Sequence, residues 1–359
     1  MQDKIKLELS PRSVALSFLV ILSFFVAWEL RSVFFMFFIA FIISAALRPY
    51  VKKLTDLKVP KMLAIALIYG VALSTIMFFL LTIVNEAWFQ LTNLISQLPN
   101  LVYSILTNLS LPDQLQFIDP ELVKESLKEL VTSLLKIDGG LFSSGISGAW
   151  GILSFASGLT IILGMITILS LYLLARDNSV GNSVVGYLPH ASQKRFLELF
   201  QRIEEKLGKW FRAQVFLMLL AGVVSWIGLT LPALFLPNYT LHNYALPIAM
   251  LVSLLEIVPG TGLSVGAILS LLIALSTQQT FMIIYAPLLF IGMQQLEGML
   301  IIPKLMKKVI GLDPIITLLS LVSGFILFQV VGAILIVPIL AVIQIVIEFY
   351  SEDIKAQLR

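Results

Sequence analysis

The sequence predicts an all-α, polytopic membrane protein with about eight transmembrane segments, two of them broken or re-entrant helical hairpins in an inverted repeat. Hydrophobic residues make up 58% of the 359 residues and charged residues only 13%, whereas soluble chains carry about 25% charged residues. Several apolar runs are each about 20 residues long, which is the length that a membrane-spanning helix needs. Two further runs are too long for a single crossing. Lipid is therefore the expected main solvent, and a soluble enzyme is a poor fit.

Ordinary crossing helices are expected in six apolar runs. They span residues 13–28, 31–47, 61–87, 150–175, 211–231 and 280–302. Only Glu29, Leu30 and Arg31 separate the first two runs, so a tight helical hairpin is predicted there. No small-residue cleavage pattern follows the first run, which favours a retained helix over a signal peptide.

The positions of the basic residues predict the orientation. Residues 1–12, 48–61 and 176–212 hold three, five and seven Lys or Arg, whereas the long 89–148 segment holds three against six carboxylates. Lys and Arg favour the cytoplasmic side. The sequence therefore predicts that both the N-terminus and the C-terminus are cytoplasmic.

This layout divides the chain into five regions. They are N-terminal transmembrane helices (1–88), an extracytoplasmic amphipathic segment (89–148), a transmembrane helix with a cytoplasmic connecting helix (149–210), a C-terminal core with two broken hairpins (211–347) and a cytoplasmic tail (348–359). In the second region, Asp119 before Pro120 is typical of a helix start. Apolar residues then recur at helical spacing, which predicts an amphipathic helix.

Two long apolar tracts, 244–275 and 314–347, resemble each other. The motif P-I-x-x-L-x-S-L opens at Pro247 in one and at Pro314 in the other, and both tracts continue to a V-G-A-I-L stretch. This similarity predicts an internal repeat.

Both tracts are interrupted near the middle, the first at 258–262 (VPGTG) and the second around Gly324, Gln329 and Gly332. Proline and glycine weaken a helix at such points. An unbroken 32-residue helix would be about 48 Å long, whereas half-helices of about 14 residues reach about 21 Å, against a core of about 30 Å. Re-entrant hairpins of opposite orientation fit these lengths. Tracts that cross twice, or once with a steep tilt, are the open alternative.

Nearly the whole chain resembles the autoinducer-2 exporter family of bacterial transporters, most specifically after residue 205. The stretches that carry the resemblance are 208–214 (GKWFRAQ), 256–262 (EIVPGTG), 294–297 (QQLE), 303–314 (PKLMKKVIGLDP) and 331–338 (VGAILIVP). The resemblance implies a secondary transporter or exporter of small polar molecules in the bacterial inner membrane. Some members are linked to export of the signalling molecule and others to sodium(lithium)/proton antiport. Gly260 and the stretch 325–329 (FILFQ) depart from the family pattern and leave the substrate open.

Glu256 and Glu297 are the most deeply placed ionisable residues of the apolar tracts. A carboxylate in lipid costs about 2.5–3.5 kcal/mol on insertion scales, so it needs a partner or a wet cavity. Glu256 precedes Pro259 by three residues, and Glu297 shares a helical face with Gln294. We expect a polar-substrate or cation site at which one carboxylate exchanges a proton. No metal site is expected other than one for Na⁺ near Glu256. The alternative is that the carboxylates are structural and bind backbone amides freed at the breaks.

Other candidates lie close to the two interruptions. Gln294, Gln295 and Gln329 are predicted to line the path or to join helices. Backbone breaks or gates are expected at Pro259, Gly260, Thr261, Gly262 and Gly332. Coupling or capping roles are expected for Asp313, Arg212 and Gln214.

No catalytic or cofactor motif accompanies these residues. The chain has no H-E-x-x-H zinc motif, no P-loop and no cysteine, and His190 and His242 are isolated. We therefore expect no enzyme, no cofactor and no nucleic-acid partner. The expected partners are the lipid bilayer and a small polar solute, a proton or a monovalent cation. A channel, or a membrane scaffold that forms a homo-oligomer, is the alternative function.

Overall fold

The computed structural model describes residues 11–82, 99–100, 103, 119–137, 149–176, 180–236, 239–277, 280–301 and 314–357. Within these ranges the elements are helices and there is no strand, which confirms the all-α prediction. Five helices there are long and apolar enough to cross a membrane. They are Arg31–Asp56, Lys61–Phe79, His190–Leu234, Phe281–Ile301 and Ile315–Ser351. A total of eight crossing segments stays a prediction.

The α-helices are numbered in chain order. They are α1 (Pro11–Glu29), α2 (Arg31–Asp56), α3 (Lys61–Thr82), α4 (Pro120–Ile137), α5 (Ala149–Ala175), α6 (Val180–Val185), α7 (His190–Thr230), α8 (Ala245–Leu255), α9 (Thr261–Thr277), α10 (Thr280–Leu296) and α11 (Pro314–Gln357). Two 3₁₀ turns, Leu231–Leu234 and Leu241–Tyr244, lie between α7 and α8. A π-helical turn, Glu297–Ile301, follows α10.

Leu30 alone separates α1 from α2, and its backbone has φ −82° and ψ 4°. Its amide donates to the Val26 carbonyl at 2.9 Å, and the Phe34 amide donates to the Leu30 carbonyl at 3.1 Å. These i to i−4 hydrogen bonds keep the helical path on both sides of Leu30. The tight hairpin predicted at this point is therefore wrong. The connection has no glycine, proline, asparagine or aspartate to reverse the chain.

The amphipathic helix predicted after Asp119 is present as α4. The Asp119 carboxylate accepts a hydrogen bond from the Glu121 amide at 3.0 Å, and the Asp119 carbonyl accepts one from the Val123 amide at 3.1 Å. An aspartate that binds the free amides of a first turn is an N-cap, which confirms the predicted helix start.

Helix α7 is a single helix of 41 residues that packs against α2, α8 and α11. It joins the predicted connecting helix and the fifth crossing without a break. Two glycines allow close approach of its neighbours. A Cβ on Gly208 would lie 2.7 Å from the Ala45 carbonyl of α2, and one on Gly222 would lie 2.8 Å from the Ser253 Cβ of α8. Small residues at such positions let helix backbones meet in membranes.

The first apolar tract forms two helices, α8 and α9, separated by residues 256–260. Helix α8 has 11 residues and α9 has 17, so they are about 16 Å and about 26 Å long. Both are shorter than the bilayer core of about 30 Å. They pack side by side, since a Cβ on Gly266 would lie 2.6 Å from the Val252 Cγ2.

The second tract, within α11, is interrupted at Phe328 and Gln329, whose backbone is not helical. A Cβ on Gly332 would lie 2.0 Å from the Gly324 carbonyl oxygen. In a continuous helix, residues eight apart are about 12 Å apart. The chain therefore folds back, and we name the two arms α11a (314–327) and α11b (330–357). The arms are about 21 Å and about 42 Å long, so the second is longer than the expected half-helix.

Buried apolar side chains form two main clusters that share α7. One joins α7 to α8, α9 and α10 and includes Leu229, Val252 and Phe290. The other joins α7 to α2, α5 and α11 and includes Phe41 and Val337. Helix α7 thus contacts the core around each of the two hairpins.

Candidate functional site: a buried carboxyl pair at a helix break

Glu256 follows α8, and its carboxylate binds the amino end of α9. It accepts hydrogen bonds from the amides of Gly260, Gly262 and Leu263, the last at 3.1 Å. The first amides of a helix have no partner within the helix, and the helix dipole favours negative charge there. Glu256 is fully buried. The carboxylate therefore satisfies the backbone that the break leaves free.

The break itself depends on its small residues. A Cβ on Gly262 would lie 2.2 Å from the Val252 carbonyl oxygen and 2.6 Å from a Glu256 carboxylate oxygen. Gly260 has φ +82°, which favours glycine. The Thr261 hydroxyl donates to the Leu255 carbonyl at 2.5 Å. These predicted break residues, together with Pro259 between α8 and α9, lie at one turn.

Gln214 of α7 reaches the same turn from across the bundle. Its Nε2 donates to the Glu256 carbonyl at 2.6 Å, and the residue is buried. Its Oε1 is buried without a hydrogen-bond partner among the described residues. Gln214 thus contacts the break directly, and the coupling or capping role expected for it stays a prediction.

Glu297 opens the π-helical turn after α10, and its carboxyl group lies beside the Glu256 carboxyl group. It is 6% exposed, and its Oε1 has no hydrogen-bond partner among the described residues. Two adjacent carboxylates repel each other, so such a pair favours a bound proton or cation. The structure therefore brings together the two carboxylates that the sequence singled out.

Basic side chains do not neutralise this pair within the described part of the chain. Between residues 211 and 301 the basic side chains are Arg212 and His242. Arg212 donates to the Ala46 carbonyl of α2 at 3.0 Å. The Nδ1 atom of His242 lies 2.6 Å from the Tyr239 carbonyl oxygen. Arg212 thus joins α7 to α2 rather than contacting the carboxyl pair.

A cavity of about 130 Å³ adjoins Glu297. Its apolar wall includes Leu217, Leu220, Ala221 and Val224 of α7, Leu263 of α9 and Met293 of α10. Glu297 is the ionisable residue among those that line it. The Glu297 Oε1 atom is itself buried, so the surface that faces this cavity is almost wholly apolar.

A family model described as AI-2E family transporter matches residues 16–352. The chain belongs to the AI-2E family of transporters. It is similar to YueF of Bacillus subtilis (strain 168), a candidate transport protein, with 23% identity over 320 residues that cover 88% of this chain and 83% of YueF. It is also similar to YrrI of the same organism, another candidate transport protein, with 25% identity over 346 residues that cover 92% and 94%.

These matches confirm the predicted family. They support a multi-pass protein of a bacterial membrane with a transport role.

Two of the predicted glutamines in this AI-2E family chain lie in α10 just before Glu297 in the sequence, and both are exposed. Gln294 Nε2 donates to the Ser264 hydroxyl at 3.5 Å, and the Ser264 hydroxyl donates to the Gly260 carbonyl at 2.8 Å. Gln294 is thus next to the break. Gln295 follows it in α10.

The tip of the second hairpin lies against other helices. The Phe328 ring is 5.2 Å from the Phe35 ring and 6.0 Å from the Trp28 ring, between centroids. Gln329 is exposed, and Gly332 packs on Gly324. Among the described contacts, this tip joins α1 and α2 rather than the carboxyl pair. Asp313 lies outside the described residues.

Several residues that hold the site were not singled out from the sequence. The Ser264 hydroxyl joins Gln294 to the break by hydrogen bonds. Gly222 has no side chain and therefore leaves room for Ser253 of α8. The sequence of α7 contains a signal for this close packing, because Ala221 and Ser225 are small residues four positions apart. Both are buried in the structure. Small residues at that spacing are typical of close helix packing in membranes.

Proposed function

We propose that this AI-2E family protein is a secondary transporter in which the Glu256–Glu297 pair holds a proton in one state and a cation in the other. The observation that carries the proposal is the contact between two buried carboxyl groups without a basic partner among the described residues. Two negative charges so close together are strongly disfavoured in a dry interior. A cation that binds one carboxylate would release the shared proton, and this exchange couples the two fluxes.

The two carboxyl groups have different roles in this proposal. Glu256 accepts hydrogen bonds from three backbone amides, so its negative charge is stabilised locally. Glu297 has an oxygen without a partner and lines a cavity. We therefore assign the exchange to Glu297 and the structural charge to Glu256.

Sodium(lithium)/proton antiport is the form of this exchange that the site favours. Gln214 Oε1 and Glu297 Oε1 are buried oxygens without a hydrogen-bond partner in the described structure. Gln214 binds the Glu256 carbonyl, and the Glu297 carboxyl group lies beside the Glu256 carboxyl group. Small hard cations prefer oxygen ligands. This observation favours an alkali cation over a neutral solute such as the signalling molecule of the family name.

Proton flux into proteoliposomes tests the exchange. We expect an imposed Na⁺ or Li⁺ gradient to move protons, measured with an internal pH dye, and Glu297→Gln to lower this flux at least tenfold. Glu205→Gln is the matched control, because Glu205 is an exposed carboxylate that pairs with Lys209. Unchanged flux in Glu297→Gln would contradict the proposal. Flux without saturation or ion dependence would indicate a channel, and absence of any flux would favour a scaffold.

We also propose that the two hairpins enter the membrane from opposite sides, with the C-terminus in the cytoplasm. A broken backbone is tolerated at membrane depth only inside protein or beside a wet cavity, and the break at 256–260 is enclosed by Glu256 and Gln214. The chain has no cysteine, so single cysteines at Thr277 and Lys308 report topology directly. Labelling from opposite sides is expected. Labelling of both from one side would exclude the re-entrant topology.

A further inference from the structure

We infer that α7 turns on α2 where the two helices cross, and that the ion pair between Arg48 of α2 and Glu204 of α7 is a latch that opens in each transport cycle. The inference rests on the proposed function, because the motion serves the exchange at Glu297. It adds the place at which the bundle changes shape, and it gives a role to two charged residues outside the carboxyl pair.

The crossing brings the backbones of the two helices into direct contact. Gly208 is the nineteenth of the 41 residues of α7, so the contact lies close to the middle of this helix. A Cβ on Gly208 would lie 2.7 Å from the Ala45 carbonyl oxygen and 3.2 Å from the Ala46 amide nitrogen. Pro49 lies within α2 and has no amide hydrogen to donate to the Ala45 carbonyl. The crossing therefore has no side chain on α7 and lacks one hydrogen bond within α2, so α7 can change its angle there with little repacking.

The Arg48–Glu204 ion pair holds α7 against α2 beside this crossing. Arg48 Nη1 lies 2.7 Å from Glu204 Oε1. The Glu204 side chain is 11% exposed, whereas that of the adjacent Glu205, which pairs with Lys209 within α7, is 63% exposed. A buried carboxylate depends strongly on its partner, because its charge is otherwise left uncompensated. The Arg48 side chain is 39% exposed and can return to water when the pair opens. The pair thus favours this orientation of α7 without preventing another.

A second contact lies on the other side of the crossing, where Arg212 donates to the Ala46 carbonyl at 3.0 Å. Glu204 and Arg212 come four residues before and after Gly208, or about 6 Å along the helix axis on each side. A change of about 10° in the angle of α7 would move these two positions by about 1 Å in opposite directions. This displacement would lengthen the 2.7 Å ion pair beyond the usual hydrogen-bond limit of about 3.2 Å. The latch is therefore closed in this orientation of α7 and opens in a second one.

Reversible cross-linking tests whether the latch opens. The chain has no cysteine, so an Arg48→Cys/Glu204→Cys variant presents its two new thiols alone. Propane-1,3-diyl bismethanethiosulfonate would bridge the gap that the two truncated side chains leave. The bridged protein should show at least tenfold lower Na⁺-driven proton flux in proteoliposomes, and a reductant should restore the flux. Unchanged flux in the bridged protein would overturn the inference, because a purely structural contact tolerates a covalent link.

Two controls separate the bridge from the chemical modification. Methyl methanethiosulfonate modifies the same two thiols without joining them and should leave the flux unchanged. A Glu205→Cys/Lys209→Cys variant, whose natural side chains pair within α7, should also keep its flux when it is bridged. Equal losses in these controls would overturn the inference, because they would show that the loss does not come from joining α7 to α2.

Distances between nitroxide labels test the same motion while the latch is intact. Lys52 of α2 and Glu205 of α7 are exposed, so cysteines there carry the labels outside the crossing. In nanodiscs we expect two distance populations, in proportions that differ between acidic buffer without Na⁺ and alkaline buffer with Na⁺. Glu204→Gln should enlarge the second population, whereas Glu198→Gln, which changes an exposed carboxylate paired with Arg202 within α7, should not. A single unchanged distance in both buffers would overturn the inference.

The same measurements separate this inference from the proposed function. Proton-coupled flux that requires Glu297 but persists in the bridged protein would retain the exchange and reject the latch. Two label distances that respond to Glu204→Gln, without any ion-driven proton flux, would retain the turning of α7 on α2 and reject the coupled transporter.

Discussion

At the level of single residues, the first break is held by a few tightly packed groups. Glu256 binds the amides at the start of α9, and Gly262 leaves room for the Glu256 carboxylate and for the Val252 carbonyl. Gln214 then binds the Glu256 carbonyl. Because these contacts share Glu256, a change in one of them should disturb the others.

Gly262→Ala should destabilise the protein by about 2 kcal/mol, since the added methyl group would lie 2.2 Å from the Val252 carbonyl oxygen, much closer than van der Waals contact. Gly292→Ala is the matched control, because nothing lies within 4 Å of the corresponding position in α10. The control should be neutral or stabilising by up to about 1 kcal/mol, from helix propensity. Melting temperatures in detergent measure both, and equal stability of the two variants would contradict the packing described at Gly262.

Gln214→Leu should cost about 1–3 kcal/mol, because it leaves the buried Glu256 carbonyl without its donor. Gln295→Leu changes an exposed glutamine and should shift stability by less than about 0.5 kcal/mol. Equilibrium unfolding in detergent is the appropriate measurement. Similar losses at both positions would indicate a general effect of removing glutamine.

At the level of helices and hairpins, the two breaks reverse the chain in different ways. The first uses Gly260 at φ +82°. The second uses Gln329 at φ 54° and ψ −141°, a conformation that glycine adopts far more readily than glutamine. Backbone strain of this kind costs about 1–3 kcal/mol and needs support from the surrounding packing. Here the support comes from Phe328, which packs on Trp28 and Phe35.

Gln329→Gly should therefore stabilise the folded protein by about 1 kcal/mol, as relief of strain exceeds the entropy that glycine adds to the unfolded chain. Gln295→Gly lies within α10 and should destabilise it by about 1 kcal/mol. Melting temperatures measure both effects, and the expected result is a rise for Gln329→Gly and a fall for Gln295→Gly. Destabilisation by both substitutions would show that Gln329 has a contact worth more than the strain.

At the level of the whole molecule, α7 joins the two hairpins and also contacts the end of α11. The Arg195 and Arg202 guanidinium groups lie 5.7 and 5.2 Å from the Phe349 ring centroid, and Lys206 Nζ is 4.0 Å from a Glu348 carboxylate oxygen. Phe349 is buried, whereas the adjacent Tyr350 is exposed. The start of α7 is therefore held against the last turns of α11.

Phe349→Ala should cost about 3 kcal/mol, as expected for truncation of a buried aromatic side chain. Tyr350→Ala removes an exposed ring of similar size and should cost less than about 1 kcal/mol. Chemical unfolding of the purified protein compares them. If both truncations have the same small effect, α11 does not pack on α7 in the membrane as described.

Local features of the fold could be predicted from the sequence. The Pro259–Gly260 break and the Asp119 cap depend on neighbouring residues, and both were found where expected. The connection between α1 and α2 was predicted incorrectly, because two charged residues near Leu30 resembled a polar turn. Arg31 instead donates to the Trp28 carbonyl at 2.8 Å and lies over the Trp28 ring.

Long-range features could not be predicted in the same way. Gln214 and Glu256 are 42 positions apart, and their hydrogen bond depends on how α7 packs against α8. The pairing of Glu256 with Glu297 likewise requires α10 to return beside the break. Rarity of charge in an apolar tract identified both carboxylates, but only their packing could show that they share one site.

Helix α7 has a mechanical consequence for the molecule. Its 41 residues form a rod of about 60 Å, so a tilt of about 10° around its middle would displace its two ends by about 5 Å in opposite directions. Gln214 lies near the middle of this rod, where displacement is least, and α11b is attached towards one end. A rocking motion of α7 would thus displace the second hairpin, whereas the carboxyl pair, which lies near the centre of rotation, would move little.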